Sequence, residues 1–474
     1  MATTTEDVAG ALSALLDGAD IVGLTRLSGG ASRETWSFTA IDAAGTERSL
    51  VLQRRPGGGA VPVSTAIGPE VEARLLRAAG AAGVPVPAVV DVAADSTAVG
   101  APFLLMTAVA GETIARRILR DEALAAARAR LTAQAGQALA RLHQVAPDAV
   151  EGLDQPEPLA QLMAVIDALG EPHPALELGL RWLGQHRPLP SPGGPRIVHG
   201  DFRLGNLIVG PDGLRAVIDW ELAHLGDPME DLGWLCVRAW RFGSPLPVAG
   251  VGEYGELFGA YEAAGGGRVD AEAVRWWELF GTVRWGVICM MQAAGHLTGV
   301  VRSHELAAIG RRVCQNEHDA LELLAAETSR SGVVRYAIAH PATPERRGWD
   351  GSPHDRPSVP EMLEAVREWL QGDVMAQTDG RLRFHARVAA NMLAIADREL
   401  ALGPAQRAAH AERLAALGVA DDAELAAAIR AGRFDDARWD EVLASVRAAV
   451  ADKLAVADPG YDDPASAEPV SPPS

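Results

Sequence analysis

A chain of 474 residues with 48% hydrophobic and 22% charged residues has the balance of a globular protein, and it is too long for one ordinary core. Its formal net charge of −19 argues against nucleic acid as a partner, because no basic face could dominate the field. Cys236, Cys289 and Cys314 form no C-x-x-C pair, the N-terminus has acidic residues where an export signal is basic, and "WGVICMMQAAGHLTGVV" is interrupted by Gln292 and His296; buried thiols, a cytoplasmic location and no membrane span are expected.

In chain order, residues 21–60 read as strand, Gly-rich turn and strand, with apolar residues alternating around "TWSFTAI" and "LVL". "GPEVEARLLRAAGAAG" reads as a helix with Val71, Leu75 and Leu76 at helical spacing, and "VPVPAVVDVAA" and "APFLLMTAV" as two more strands. A long alanine-leucine helix covers 121–145, and 156–189 is helical with proline breaks. "IVHGDFRLGNLIV", residues 197–209, is a strand, an irregular polar loop and a second strand; "GPDG" turns the chain and "LRAVIDW" returns it as a hairpin. Helices are expected over 229–240, 253–264, 270–298 and 303–328. The prolines of "HPATPERRGWDGSPHDRPSVP" mark a linker, helical periodicity resumes after it, and the closing "DPGYDDPASAEPVSPPS" has the composition of a disordered tail.

Polar side chains held between buried strands cost desolvation unless something satisfies them. Asp201 and Asn206 stand in the loop, and Asp219 ends the return strand, so the hairpin is expected to gather two carboxylates and an amide oxygen. Such a hard, oxygen-rich set suits magnesium, which keeps waters and phosphate oxygens in its shell.

"HGDFRLGN" followed by "VIDWE" resembles the catalytic loop and metal-binding aspartate of the aminoglycoside phosphotransferase and choline kinase superfamily, relatives of the protein kinases. The resemblance runs in order over about residues 20–325. It implies an α+β, bilobal protein-kinase-like fold, with a small β-rich N-lobe and a helical C-lobe, followed by a separate all-α C-terminal domain. Residue by residue, it implies that Asp201 is the base accepting the substrate's hydroxyl proton, that Asn206 and Asp219 hold Mg2+, and that Arg203 stabilises charge on the transferred phosphate of ATP. His199 is expected to order the loop, and the resemblance of "LGDPMEDLGWL" to the family's D-P-x-x-D-L segment implies that Asp231 braces it from the following helix while Asp227 is structural.

The N-terminal lobe carries weaker signals. "LSGGASRET" resembles the family's nucleotide loop, which would place Ser28, Gly29, Gly30 and Ser32 at the phosphates. "GAPFLLMTAVAG" resembles the hinge, with backbone groups from Thr107 to Val109 reading the adenine edge. The family also has a cation on the third strand, paired with a helix glutamate that Glu72 matches. The chain's one lysine is Lys453, so that cation is not lysine. Gln53 lies in the expected register and Arg54 one residue later, on the opposite face; with a local bulge Arg54 would be the clamp, and it is the residue favoured.

Substrate contacts would come from the helical lobe, where Trp234, Trp240, Trp276, Trp277, Arg284 and Trp285 are candidates, although aromatic residues at helical spacing are more often core. Within the superfamily the motifs are most similar to the kinase domain fused to acyl-CoA dehydrogenases. That branch implies phosphorylation of a hydroxyacyl-CoA, a small-molecule hydroxyl on a CoA thioester. An antibiotic kinase and a nucleotide-binding scaffold without turnover are the alternatives. The expected organisation is a kinase-like domain over 1–335 (N-lobe about 15–110, C-lobe about 111–335), a linker over 336–357, a helical domain over 358–457 and a tail over 458–474. The helical domain resembles one that accompanies such kinases, and self-association or protein contact is its expected role.

Overall fold

The computed structural model describes residues 4–27, 33–55, 66–95, 98–329, 358–435 and 438–461. Their contacts divide the chain into two units, one of residues 1–157 and 188–278, the other of 158–187 and 279–474.

The first unit opens with α1 (Thr5–Leu15), started by a reciprocal capping box between Thr4 and Asp7. Five antiparallel strands follow, β1 (Asp20–Leu27), β2 (Glu34–Ile41), β3 (Glu47–Arg54), β4 (Val89–Ala93) and β5 (Phe103–Thr107), in the spatial order β1-β2-β3-β5-β4. Because strand side chains alternate, Trp36, Phe38 and Ala40 of β2, Leu50 and Leu52 of β3 and Phe103 and Leu105 of β5 share one face, and they build a core with Val8 and Leu12 of α1. Between β3 and β4 runs α2 (Pro69–Ala81), with proline in its first turn and Ala73, Leu75, Leu76 and Ala79 buried.

Register decides the fate of Arg54. Strand β3 pairs with β2 from Glu34 opposite Arg54 to Ile41 opposite Glu47, and with β5 from Leu50 opposite Thr107 to Arg54 opposite Phe103, both without a shift. The irregularities lie in the β1/β2 and β4/β5 pairs. With no bulge in β3, Arg54 falls on the face of Leu50 and Leu52, where it is 1% exposed. Its Nε meets Glu34 Oε2 at 2.8 Å and its Nη1 donates to the Val99 carbonyl at 2.9 Å. The expectation that Arg54 turns toward Glu72 is therefore corrected: it is a buried arginine bound on the opposite face of the sheet.

Beyond the sheet come α3 (Ala115–Arg120) and α4 (Ala125–His143). The chain then supplies α5 (Pro158–Leu169) and α6 (Pro174–Gln185) to the second unit. The first unit resumes with β6 (Arg196–Val198), β7 (Leu207–Gly210), β8 (Gly213–Val217) and β9 (His224–Gly226), in which β6 pairs with β9 and β7 with β8. Helices α7 (Met229–Cys236), α8 (Tyr254–Ala263) and the first turns of α9 (Ala271–Leu297) complete it.

The second unit combines α5, α6 and the rest of α9 with α10 (His304–Gly310), α11 (Val313–Ser329), α12 (Val359–Trp369), α13 (Met375–Gln377), α14 (Gly380–Leu417), α15 (Asp422–Arg430) and α16 (Trp439–Ala457). The C-terminal region is thus all-helical, as expected. The expected linker and most of the expected tail lie outside the described residues, while the contacts draw the division earlier in the chain. Arg430 pairs with Asp167 and Glu177, and Arg181 pairs with Asp435, tying α5 and α6 to the C-terminal helices. The three cysteines are buried thiols. Among the described residues no helix is long and apolar enough to cross a membrane.

Lys453 sits in this second unit. Its Nζ donates to both oxygens of the buried Glu317 carboxylate, at 2.9 and 3.0 Å, and His173 Nδ1 lies 2.9 Å from Oε1. Burial alone would raise the Glu317 carboxyl, but the Lys453 charge and the bond from His173 outweigh it and hold it at about 2. A carboxyl lowered on folding contributes stability above its unfolded value and loses it as pH falls through the folded one. Lys453→Met should therefore destabilise by about 2–3 kcal/mol at pH 7, less than a fully enclosed pair because the lysine is partly exposed. A Glu317→Gln/Lys453→Met variant should recover part of that and lose the pair's contribution to stability change between roughly pH 5 and 2 in chemical denaturation.

Candidate active site

The polar loop after β6 is held from below. Asp231, in the first turns of α7, is fully buried and accepts the backbone amides of His199 at 2.7 Å and Gly200 at 2.9 Å, with His143 Nε2 at 3.2 Å. Burial would raise the Asp231 carboxyl, yet these partners lower it, so it stays ionised beneath the loop. Gly200 has φ +75°, and a Cβ there would run into the Leu222 carbonyl, which is why the motif needs glycine. His199 is buried and its imidazole is pushed down by desolvation. The Asp201 amide donates to Nδ1 at 3.2 Å and Nε2 lies 3.1 Å from the Ile218 carbonyl, an arrangement satisfied by a neutral ring with its proton on Nε2. Asp227 accepts from Met229 N and from both the amide and the hydroxyl of Ser191. His199, Asp227 and Asp231 thus do the structural work expected of them.

Asp201 is gripped on every side. Trp234 Nε1 donates to Oδ1 at 2.9 Å, Asn206 Nδ2 to Oδ2 at 2.6 Å, and Arg203 Nε lies 3.1 Å from both oxygens. The Arg203 guanidinium is also 5.0 Å from the centre of the Trp240 ring, which tilts against Trp234 at 5.3 Å. Of the tryptophans offered as substrate contacts, these two are buried and attached to Asp201 and Arg203.

The β7/β8 hairpin brings Asp219 to the same place. Its strands pair from Leu207 opposite Val217, and Ile218 N donates to the Asn206 carbonyl at 2.9 Å, so Asn206 and Asp219 flank one end of the hairpin. Asp219 has φ +66°, a left-handed conformation that aspartate tolerates better than most residues. The Asn206 amide nitrogen donates to both the carbonyl and the carboxylate of Asp201, leaving the amide oxygen as the atom able to meet a cation. Burial, helped by Glu221, Asp201 and Glu72, pushes the Asp219 carboxyl up to about 6 against the opposing pull of Arg33. Carboxylates that hinder one another's ionisation, next to an available amide oxygen, form a donor set that suits a divalent cation.

Opposite this set stands Glu72, 3% exposed, but the residue it holds is neither Gln53 nor Arg54. Arg33 is. Its Nη1 reaches both Glu72 oxygens at 3.0 and 3.1 Å and Gln53 Oε1 at 2.7 Å, its Nε donates to Glu221 at 2.8 Å, and its Nη2 meets Asp219 at 3.2 Å. Arg55 lies farther out, 3.7 Å from Glu72 and 3.6 Å from Glu221, with Nη1 on the Ile67 carbonyl. Sequence reasoning missed Arg33, although the absence of lysine and an arginine directly after the Gly-rich turn were both visible. At the expected hinge, Thr107 donates its amide to the Ala88 carbonyl and accepts the Ala88 amide on its hydroxyl, and the Ala108 amide donates to Ser49. Val109 follows as a half-buried residue. Ser28, Gly29, Gly30 and Ser32 lie outside the described residues.

The profile of the phosphotransferase enzyme family matches residues 23–277, more than half of the chain, and that of a domain of unknown function matches 376–461. Acyl-CoA dehydrogenase family member 10 of Mus musculus is 34% identical over 224 residues, which are 43% of this chain and 19% of that protein. Acyl-CoA dehydrogenase family member 11 of Homo sapiens is 26% identical over 226 residues, 45% of this chain and 28% of that protein. The match thus spans less than a third of these relatives' length. A solved structure from Ralstonia eutropha, a candidate aminoglycoside phosphotransferase, superposes with a TM-score of 0.53 at 22% identity, covering 67% of this chain and 98% of its own, and it shares the kinase-like fold.

Replacing Asp231 with alanine removes the acceptor of two buried amides and the partner of a buried histidine. The cost should be on the order of 3 kcal/mol, read as a lowered denaturation midpoint. A variant as stable as the parent would show that the loop is held by something else.

Proposed function

We propose that this chain, which belongs to the phosphotransferase enzyme family, moves the terminal phosphoryl group of ATP to the hydroxyl of a hydroxyacyl-CoA with the help of Mg2+. The observation that carries the reading is the convergence of Asp201, Asn206 and Asp219 on one site beside the Arg33–Glu72 pair. A phosphotransferase acting on a small molecule needs a hydroxyl held in place, a base for its proton and positive charge around the moving group, more than it needs covalent chemistry of its own.

Each residue then has a task. Asp201 takes the hydroxyl proton as the substrate oxygen bonds to the γ-phosphorus and the bond to the β-phosphate oxygen breaks, releasing ADP. Trp234 and Asn206 fix the carboxylate while this happens, each holding one oxygen. Arg203 reaches both oxygens through its Nε, and it is the group that turns to the transferred phosphoryl. Asn206 and Asp219 hold the divalent ion, which supplies charge neutralisation for the nucleotide's phosphates. The Val109 amide, one step beyond the bonded amides of Thr107 and Ala108, reads the base.

Support for the acyl-CoA acceptor comes from the relatives' names, since the shared segment belongs to proteins called acyl-CoA dehydrogenase family members. Phosphorylation turns a hydroxyl into a leaving group, a change useful before elimination. The net charge of −19 and the absence of a long apolar helix among the described residues suit a small-molecule acceptor in the cytoplasm rather than nucleic acid or a membrane.

Asp201→Asn should lower turnover by about 10²–10⁴-fold while Mg·ADP still binds. Asp219→Asn should instead weaken Mg·ADP, and chelation of the metal should stop turnover of the parent. The decisive assay is ATP consumption against hydroxyacyl-CoAs, aminoglycosides and small alcohols, with Asp201→Asn as control. Phosphate on the acyl chain supports the reading, phosphate on an antibiotic replaces the acceptor, and nucleotide binding without any turnover leaves a scaffold.

A further inference from the structure

We propose that Arg33, from the segment that follows the Gly-rich turn, is the cation that grips the nucleotide's phosphates in this protein, in place of any side chain on strand β3. This deepens the ATP reading above and rests on it. Three independent observations lead there. No lysine precedes Lys453, so the usual compact ammonium is absent from this lobe. Arg54, the arginine of β3, is sealed on the far face with Glu34 and Val99. The residue of β3 that does face Glu72 is Gln53, and its side-chain oxygen accepts from Arg33 rather than offering a charge.

The geometry of Arg33 suits the task. Its side chain is nearly buried, and Glu72, Gln53 and Glu221 fix the Nη1 and Nε edges of the guanidinium. A planar guanidinium can hold carboxylates along one edge and still present N–H groups along another, which an ammonium on a flexible stem does less well. The remaining nitrogen, Nη2, lies on Asp219 Oδ1, a carboxylate already assigned to the divalent ion. Ion and guanidinium therefore compete for the same oxygen. With Asp219 holding the ion, Nη2 would be released from that partner while Glu72, Glu221 and Gln53 keep the side chain in place, and its N–H groups would be donors for phosphate oxygens. The same contact offsets part of the repulsion between Asp219 and its carboxylate neighbours, so one side chain serves as brace and as clamp.

Arg55 is the competing candidate, since it too lies near Glu72 and Glu221, but at 3.7 and 3.6 Å it makes no tight contact with either. Gln53 offers the means to separate binding from mere support. Its side-chain oxygen is 2.7 Å from Arg33 Nη1, so a lysine at 53 would deliver an ammonium close to where the guanidinium now sits.

The test uses the full-length chain with Mg·ADP as probe, read by calorimetric titration, and thermal melting without nucleotide as an independent readout. Arg33→Ala should weaken Mg·ADP by about 10²-fold. Because that variant also strands a buried Glu72, Arg33→Ala/Glu72→Gln removes the most buried of the three carboxylates it leaves unpaired; it should melt above Arg33→Ala and still fail to bind well. Arg33→Ala/Gln53→Lys should regain affinity to within about tenfold of the parent. Parent-like affinity in Arg33→Ala/Glu72→Gln would reduce Arg33 to a structural brace, and loss of Mg·ADP binding in Arg55→Ala but not in Arg33→Ala would move the role to Arg55; either overturns the proposal. A parent that binds no Mg·ADP overturns the ATP reading along with it, whereas a parent that binds it yet phosphorylates no hydroxyacyl-CoA overturns the acceptor alone.

Discussion

Carboxylates brought together out of water must be neutralised, and in this protein one guanidinium meets that constraint for three of them. Arg33 joins Glu72 of α2 to Glu221 and Asp219 beyond the hairpin. A hydrogen bond from Ile67 N to the Glu221 carbonyl runs beside it. The sheet-bearing part of the first unit and its hairpin are thus connected by charge at the place where the chemistry is proposed to occur. Burial first, and then the neighbouring carboxylates, still hold the Asp219 carboxyl above its ordinary range against the pull of Arg33. A site whose own charges are incompletely balanced is poised for a cation and the phosphates that accompany it.

The rest of the site is a scaffold for one carboxylate. Asp231 fixes the loop backbone, Gly200 allows its close turn past Leu222, and neutral His199 connects the Asp201 amide to the Ile218 carbonyl. Trp234 then reaches Asp201 from the same helix that carries Asp231. One short helix therefore sets both the height of the loop and the orientation of the Asp201 carboxylate. Preorganisation of this kind is what phosphoryl transfer demands, because most of its catalysis is positioning and electrostatics.

The second unit follows the same rule with different residues. Glu317, buried and ionised, is answered by Lys453 and His173, and Arg430 and Arg181 answer the acids Glu177, Asp167 and Asp435. These pairs link helices distant in sequence, α6 with α11 and α16, and α5 and α6 with α15 and the segment after it. They tie α5 and α6 to the C-terminal helices within one unit. Prolines mark where the chain cannot be regular, whereas a compact unit is defined by which buried groups need one another.

Much of the protein was legible without coordinates. The alternating apolar residues of β2 and β3, the proline-started α2 and the charged-faced C-terminal helices follow from local periodicity, and the ordered set Asp201, Asn206, Asp219 and Asp231 follows from motif spacing. The clamp did not. Whether Gln53 or Arg54 faces Glu72 depends on the unbroken register of β3 with both neighbours, and Arg33 reaches Glu72 from 39 positions away along the chain. The linear order of residues determines which elements form and which chemical groups they carry, because those depend on neighbours a few positions apart. Only the tertiary structure decides which distant charge answers which, because a buried acid takes the nearest cation in space whatever its place in the sequence.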